Sequence, residues 1–232
     1  MGAIKGLFDL TGKVALLVGH EGNLGPIWKE TLEAAGATVD LLGLPEVDFL
    51  GPGPMTIINT AVPNIVVCNA AIDTPPSQQD ARFFDRLEDT IHVNLNMHAW
   101  ICKETIPAMV DQGGGVVVFI GSIMGYVGAD WRNYSGGFEK PVAYNLSKAA
   151  LQQLARSITV QYGRHNIRAV CPGFGPVATP KLPREFVTTI SEKIPMERLV
   201  SKRSLQQTLL YACCCEELAG EDWLVDGGYT KI

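Results

Sequence analysis

Apolar positions along the first forty residues change period more than once. Residues 13–19 form a short apolar run ending in glycine, the pattern of a strand buried on both faces. Residues 24–35 then show helical spacing and stop at Gly36, a residue suited to ending a helix. Residues 37–42 read as a second strand. Further on, 65–68 and 116–120 read as buried strands, the second launched by Gly113-Gly114-Gly115, and 83–111 is mostly helical between them. The pattern predicts a helix over 142–162, a strand over 167–171, a helix over 204–218 and a short strand over 223–225 before Asp226-Gly227-Gly228. Buried strands alternating with helices predict an α/β fold, a parallel sheet covered on both faces. Such sheets bind ligands beyond the carboxyl ends of their strands. Residues 43–64, rich in glycine and proline, look like a compressed irregular crossover, so residues 1–232 are expected to form a single domain.

Composition narrows the function classes. Of 232 residues, 47% are apolar and 19% charged, a globular balance. A net charge of −5 with no lysine or arginine block argues against nucleic acid, which needs a basic face. No apolar stretch approaches the roughly 18 residues of a membrane span. The first residues have no apolar leader, and position 6 is glycine rather than the Ser/Thr of a myristoylation signal. The expectation is a cytoplasmic protein with no membrane partner. Six cysteines contain no C-x-x-C, the run Cys213-Cys214-Cys215 would point in different directions on a helix, and the four histidines lack ligand spacing. No metal is expected.

The first strand runs into Gly19-His20-Glu21-Gly22-Asn23-Leu24-Gly25 and then a helix. In that setting, missing side chains let a backbone approach a pyrophosphate, and the helix N-terminus offers N–H groups and partial positive charge. A plain tight turn is the alternative. The usual carboxylate for the adenosine ribose lies at the end of the second strand, where Gly43 stands. No arginine follows for a 2′-phosphate, and Glu21 would repel one, so NAD is preferred over NADP. Tyr144 and Lys148 stand one turn apart on one helical face. They are either a working pair or ordinary helix residues.

Together these pieces resemble the short-chain dehydrogenase/reductase family, in its shorter single-domain branch. The resemblance runs from Gly12-Lys13-Val14-Ala15 through Cys68-Asn69-Ala70-Ala71, Asn94, Gly121-Ser122, Tyr144-x-x-x-Lys148 and Pro172-Gly173 to Val225-Asp226-Gly227-Gly228. It implies a Rossmann-like doubly wound sheet, a homo-oligomer (dimer or tetramer), and NAD(P)-dependent interconversion of a secondary alcohol and a ketone. It makes Tyr144 the acid/base and Ser122 a hydrogen-bonding partner of the reacting oxygen. Lys148 binds the nicotinamide ribose and lowers the tyrosine's pKa, and Asn94 holds a water linking Lys148 to solvent. A free phenol titrates near about pH 10, and a neighbouring ammonium favours phenolate. Implied cofactor contacts are Gly19, Asn23, Leu24, Gly25, Asp48, Asn69, Ala70, Tyr144, Lys148, Pro172, Gly173, Val177 and Thr179, with Asp48 at the adenine amino group.

The chain departs from the family pattern in three places. Asn23 takes the place of the middle glycine, where a left-handed backbone would carry a cost. The 43–64 crossover is short, and strand 167–171 looks two residues short, a loss that keeps its in/out alternation. An insertion near 129–138, with Asp130, Arg132 and Asn133, suits a polar or sugar-like small-molecule substrate or packs against a neighbouring subunit. A catalytically idle cofactor sensor or scaffold of the same fold is the competing reading.

Overall fold

The computed structural model describes residues 6–43, 49–50, 61–75, 78, 80–134, 138–179, 182 and 184–232. Most of the 43–64 crossover therefore lies outside the described residues, Asp48 with it. The chain runs β1 (Val14–Val18), α1 (Gly25–Ala34), β2 (Thr38–Leu42), β3 (Ile65–Cys68) and α2 (Leu87–Ile91). A π-helical turn (His92–Asn96) then leads into α3 (Met97–Asp111) and β4 (Gly115–Phe119). After β5 (Gly121–Ser122) come α4 (Val142–Tyr162), β6 (Ile167–Val170), β7 (Gly173–Phe174), α5 (Arg184–Glu192), α6 (Lys202–Cys214) and β8 (Leu224–Val225). The main sheet has strand order β2-β1-β3-β4-β6, with every pairing parallel. Short β5, β7 and β8 continue it as a second parallel sheet. The order reverses between β1 and β3, so a topological switch point lies at their carboxyl ends.

Alternation in the strands builds two apolar layers. Leu16, Val18, Val66, Val117 and Phe119 face Ile101, Ile106, Leu151 and Ile158 of α3 and α4. Ala15, Leu17, Val67 and Val118 face Trp28, Leu32, Leu205 and Leu209 of α1 and α6 on the other side. Strand β6 keeps Ile167 and Ala169 in the first layer, as expected of a shortened strand that preserves its phase. No helix among the described residues is long and apolar enough to cross a membrane.

Three features differ from the pattern-based expectation. Helix α5 was not foreseen, its apolar residues being sparse. The expected helix over 83–111 begins only at Leu87 and carries the π turn. The expected 204–218 helix ends at Cys214, where Arg168 accounts for the stop. From the middle of β6 its guanidinium donates to the carbonyls of Ala212 (3.3 Å), Cys213 (3.0 Å) and Leu218 (2.8 Å). A cation at a helix C-terminus satisfies carbonyls that have no intrahelical donor. Arg168→Met keeps the apolar stem but strands those carbonyls. It should lower unfolding free energy by about 1–3 kcal/mol, read as a lower urea midpoint at unchanged m-value.

Candidate active site

A cleft of about 520 Å³ opens at the switch point, inside the roughly 300–1,000 Å³ range of small-molecule sites. Its floor comes from the ends of β1, β3 and β4: Gly19, Asn69, Ala70 and Ile120. Gly19 has φ +78°, and a Cβ there would overlap Ala70. Gly25, the first residue of α1, could carry no Cβ without striking the His20 carbonyl. Between them Gly22, Asn23 and Leu24 line the cleft beside the N-terminus of α1. Asn23 is not in the left-handed region; the described non-glycine residues there are Arg86, Asn166 and Glu197. The strain expected from replacing the middle glycine is therefore absent.

Asn69 pins this loop from below. Its side-chain N–H donates to the Gly19 carbonyl (2.6 Å), while its Oδ1 accepts from the indole of fully buried Trp28 (2.8 Å). Buried His98 contacts the Ala70 carbonyl through Nε2 (2.8 Å). Burial first, then the Lys148 charge, pull its pKa down to about 3, so the ring is neutral and donates that bond.

Tyr144 and Lys148 face the cleft from α4, and Ser122 faces them from the end of β5. The Ser122 hydroxyl accepts from the Met124 N–H (3.2 Å) and favours the ionised form of the Tyr144 phenol. Lys148 donates to the Ile120 carbonyl (2.7 Å), with its ammonium 5.4 Å from the Tyr144 ring centroid. Burial pushes the phenol well above its ordinary value, and the charge of Asp73 adds to this; the polar Ser122 hydroxyl only partly offsets them. The expected pull toward neutrality is thus outweighed in the protein by desolvation. The same burial lowers Lys148 from 10.5 to about 8.

Asn94 is fully buried in the π turn and is not among the lining residues. Its Oδ1 accepts from the Ile72 N–H (2.8 Å), and its Nδ2 donates to the Ile72 carbonyl (3.0 Å) and the Ser147 hydroxyl (3.2 Å). The side chain is committed to these partners, of which Ser147 adjoins Lys148 in the chain. Pro172 and Gly173 also lie behind the wall. Their backbone carries the pairing of the small sheet, with Gly121 N–H donating to the Pro172 carbonyl (2.9 Å) and Gly173 N–H to Trp223 (2.7 Å). The cleft is lined instead by Phe174, Gly175 and Pro176, then Val177 and Thr179.

The insertion is fastened to its own chain. Asp130 holds Arg132 (2.8 Å) and Lys193 (3.1 Å), Lys193 donates to Asn133 Oδ1 (2.5 Å), and Asn133 Nδ2 donates to the Tyr229 hydroxyl (3.1 Å). These polar residues, expected at the substrate, make a clamp; the cleft receives Tyr134, stacked on Phe186 at 6.2 Å. A pair not foreseen also faces it. Lys140 Nζ lies 2.6 and 2.5 Å from the Asp73 carboxylate oxygens and 5.1 Å from the Tyr144 ring centroid. The Lys140 side chain is 8% exposed and that of Asp73 41%, so the carboxylate turns outward and the ammonium inward. The available signal was Lys140 itself, a lysine one turn before Tyr144, though it precedes the helix.

Lys148 carries a pH signature. Between about 8 and 10.5 the unfolded chain keeps a proton there that the folded chain has released, so its contribution raises stability with pH through that window. The melting temperature of the wild type minus that of Lys148→Met should climb from pH 8 to 10. The subtraction removes titrations common to both proteins. A flat difference would sink the buried-ammonium account.

The family model described as "Enoyl-(Acyl carrier protein) reductase" matches residues 59–230. An uncharacterized oxidoreductase of Thermotoga maritima is 32% identical over 180 residues, 73% of this chain and 68% of that one. A short chain dehydrogenase of Leptospira borgpetersenii with bound NAD+ has a similar structure. It has a TM-score of 0.79 at 22% identity, covering 97% of this chain and 95% of that one. A gluconate 5-dehydrogenase of Burkholderia cenocepacia in complex with NADP and tartrate superposes with a TM-score of 0.77 at 17% identity, covering 99% of both chains. The parallel sheet with its reversal at β1 and β3, the glycine loop and these matches agree: the chain belongs to the short-chain dehydrogenase/reductase family of NAD(P)-dependent oxidoreductases.

Proposed function

We propose that this protein interconverts a secondary alcohol and a ketone with Tyr144 as acid/base. The observation that carries this reading is the convergence of Tyr144, Ser122 and buried Lys148 on the cleft that the glycine loop also lines. Gly19, Asn23 and Leu24 would hold the dinucleotide phosphates, and Val177 and Thr179 would border its nicotinamide. The cofactor would exchange a hydride with the carbonyl carbon. In reduction Tyr144 gives its hydroxyl proton to the carbonyl oxygen, while Ser122 donates a hydrogen bond to the same atom. With its pKa near 8, Lys148 is charged at neutral pH and favours the phenolate that forms. NAD is the preferred cofactor, because Gly43 and the residues after it offer no arginine to a 2′-phosphate.

A polar, sugar-like substrate fits the far end of the cleft. Asp73 offers an acceptor and Lys140 donors, while Tyr134 and Phe186 supply an aromatic wall. The reading also takes the protein as a cytoplasmic homo-oligomer, dimer or tetramer, in keeping with the exposed Leu146 and Val160 of α4.

Tyr144→Phe should bind NADH as the wild type does while turnover falls by about 10²–10⁴ or more. Unchanged turnover would remove Tyr144 from the chemistry. A wild type that binds cofactor but turns over nothing in a broad alcohol and ketone panel would favour the idle sensor. Lys140→Met leaves Asp73 unneutralised beside Tyr144. It should move the tyrosine limb of the pH–rate profile to higher pH, since a nearby negative charge disfavours phenolate. A shift to lower pH would exclude this electrostatic link.

A further inference from the structure

A carboxylate stands over Gly43, and it does not belong to the second strand. In doubly wound sheets an acid at the end of that strand holds the ribose 2′-hydroxyl of NAD. Here β2 ends at Leu42, and position 43 has no side chain. A Cβ built on Gly43 would strike Glu21 Oε2 and lie 3.0 Å from Glu21 Cδ and 3.1 Å from Oε1. The glutamate of the glycine loop thus fills the space from which a β2-terminal acid would extend.

The path of the chain explains how it arrives there. Val18 and Leu42 are register partners, and Gly19 N–H donates to the Leu42 carbonyl (2.7 Å). The loop therefore starts beside the end of β2, and two residues later Glu21 reaches across it. His20 Nδ1 lies 3.4 Å from Glu21 Oε2, and Glu21 lines the cleft with its side chain 35% exposed.

We infer that Glu21 and Gly43 have exchanged roles, and that Glu21 is the acceptor for the adenosine ribose hydroxyls and the residue that excludes a 2′-phosphate. The inference rests on the dinucleotide reading of the cleft. It also accounts for glycine at 43, because any larger side chain would displace the carboxylate. The backbone itself leaves room for other residues there, since Gly43 is not among the positive-φ glycines.

The test is titration of the purified full chain with NADH and with NADPH, following nicotinamide fluorescence. Glu21→Ala should weaken NADH ten-fold or more and narrow the preference for NADH over NADPH. Gly43→Asp alone should also weaken NADH, because it crowds two carboxylates into one place. The double variant Glu21→Ala/Gly43→Asp should recover NADH binding to within a few-fold of wild type. That reversal of sign is one that a merely structural role for Glu21 would not produce. NADH affinity within two-fold of wild type in Glu21→Ala, or a double variant no better than either single one, overturns the inference and leaves the dehydrogenase reading standing. A wild type that binds neither dinucleotide overturns both.

Discussion

At the carboxyl edge of the sheet, Gly19 follows β1 and Ala70 follows β3, and the two backbones approach until no Cβ fits between them. Everything that makes the cleft depends on this contact. It lets Asn69 reach the Gly19 carbonyl while accepting from the Trp28 indole, so one side chain ties the loop, the sheet and α1 together. Because the chain leaves β1 toward β2 and returns to β3 on the opposite side, the loops diverge immediately beyond the contact. The cleft opens at that divergence, with the start of α1 on one wall and Tyr144 and Lys148 on another.

Polar groups are concentrated at this end of an otherwise apolar interior. Lys148, Asn94, His98, Ser122 and Ser147 are all buried. Lys148, Asn94, His98 and Ser147 donate to the carbonyls of Ile120, Ile72, Ala70 and Tyr144, Asn94 donates to Ser147 as well, and Ser122 accepts from the Met124 N–H. Low dielectric makes each partnered bond strong and each charge expensive, which is why Lys148 and Tyr144 are both driven toward their neutral forms. The Asp73–Lys140 pair lies at the margin of this region. There Asp73 is half in water and acts on the phenol as a charge rather than as a bond partner.

Much of the architecture was legible in sequence. Fully apolar strands of four or five residues can be buried only between two helical layers, and β1, β3 and β4 stand there. Tyr144 and Lys148 were legible together because helical periodicity is local: four residues along one helix always return to the same face. Asn94 was legible as a position but not as a set of bonds, since nothing local reveals that Ile72 will run beside a π turn. The bonds of the insertion were illegible for a related reason: Asp130 and Asn133 are engaged by Lys193 and Tyr229, distant in sequence.

The sequence by itself therefore determined the order of the elements, the two-sided burial of the sheet, the glycine loop and the tyrosine–lysine pair, because each follows from periodicity and turn chemistry within one segment. Tertiary structure alone decided which polar groups meet. Arg168 caps a helix end 44 to 50 residues away, Lys140 finds Asp73 across 67 residues, and Glu21 comes to rest over Gly43. Side-chain partners between segments depend on the register and approach of whole strands and helices, and no single stretch of chain encodes them.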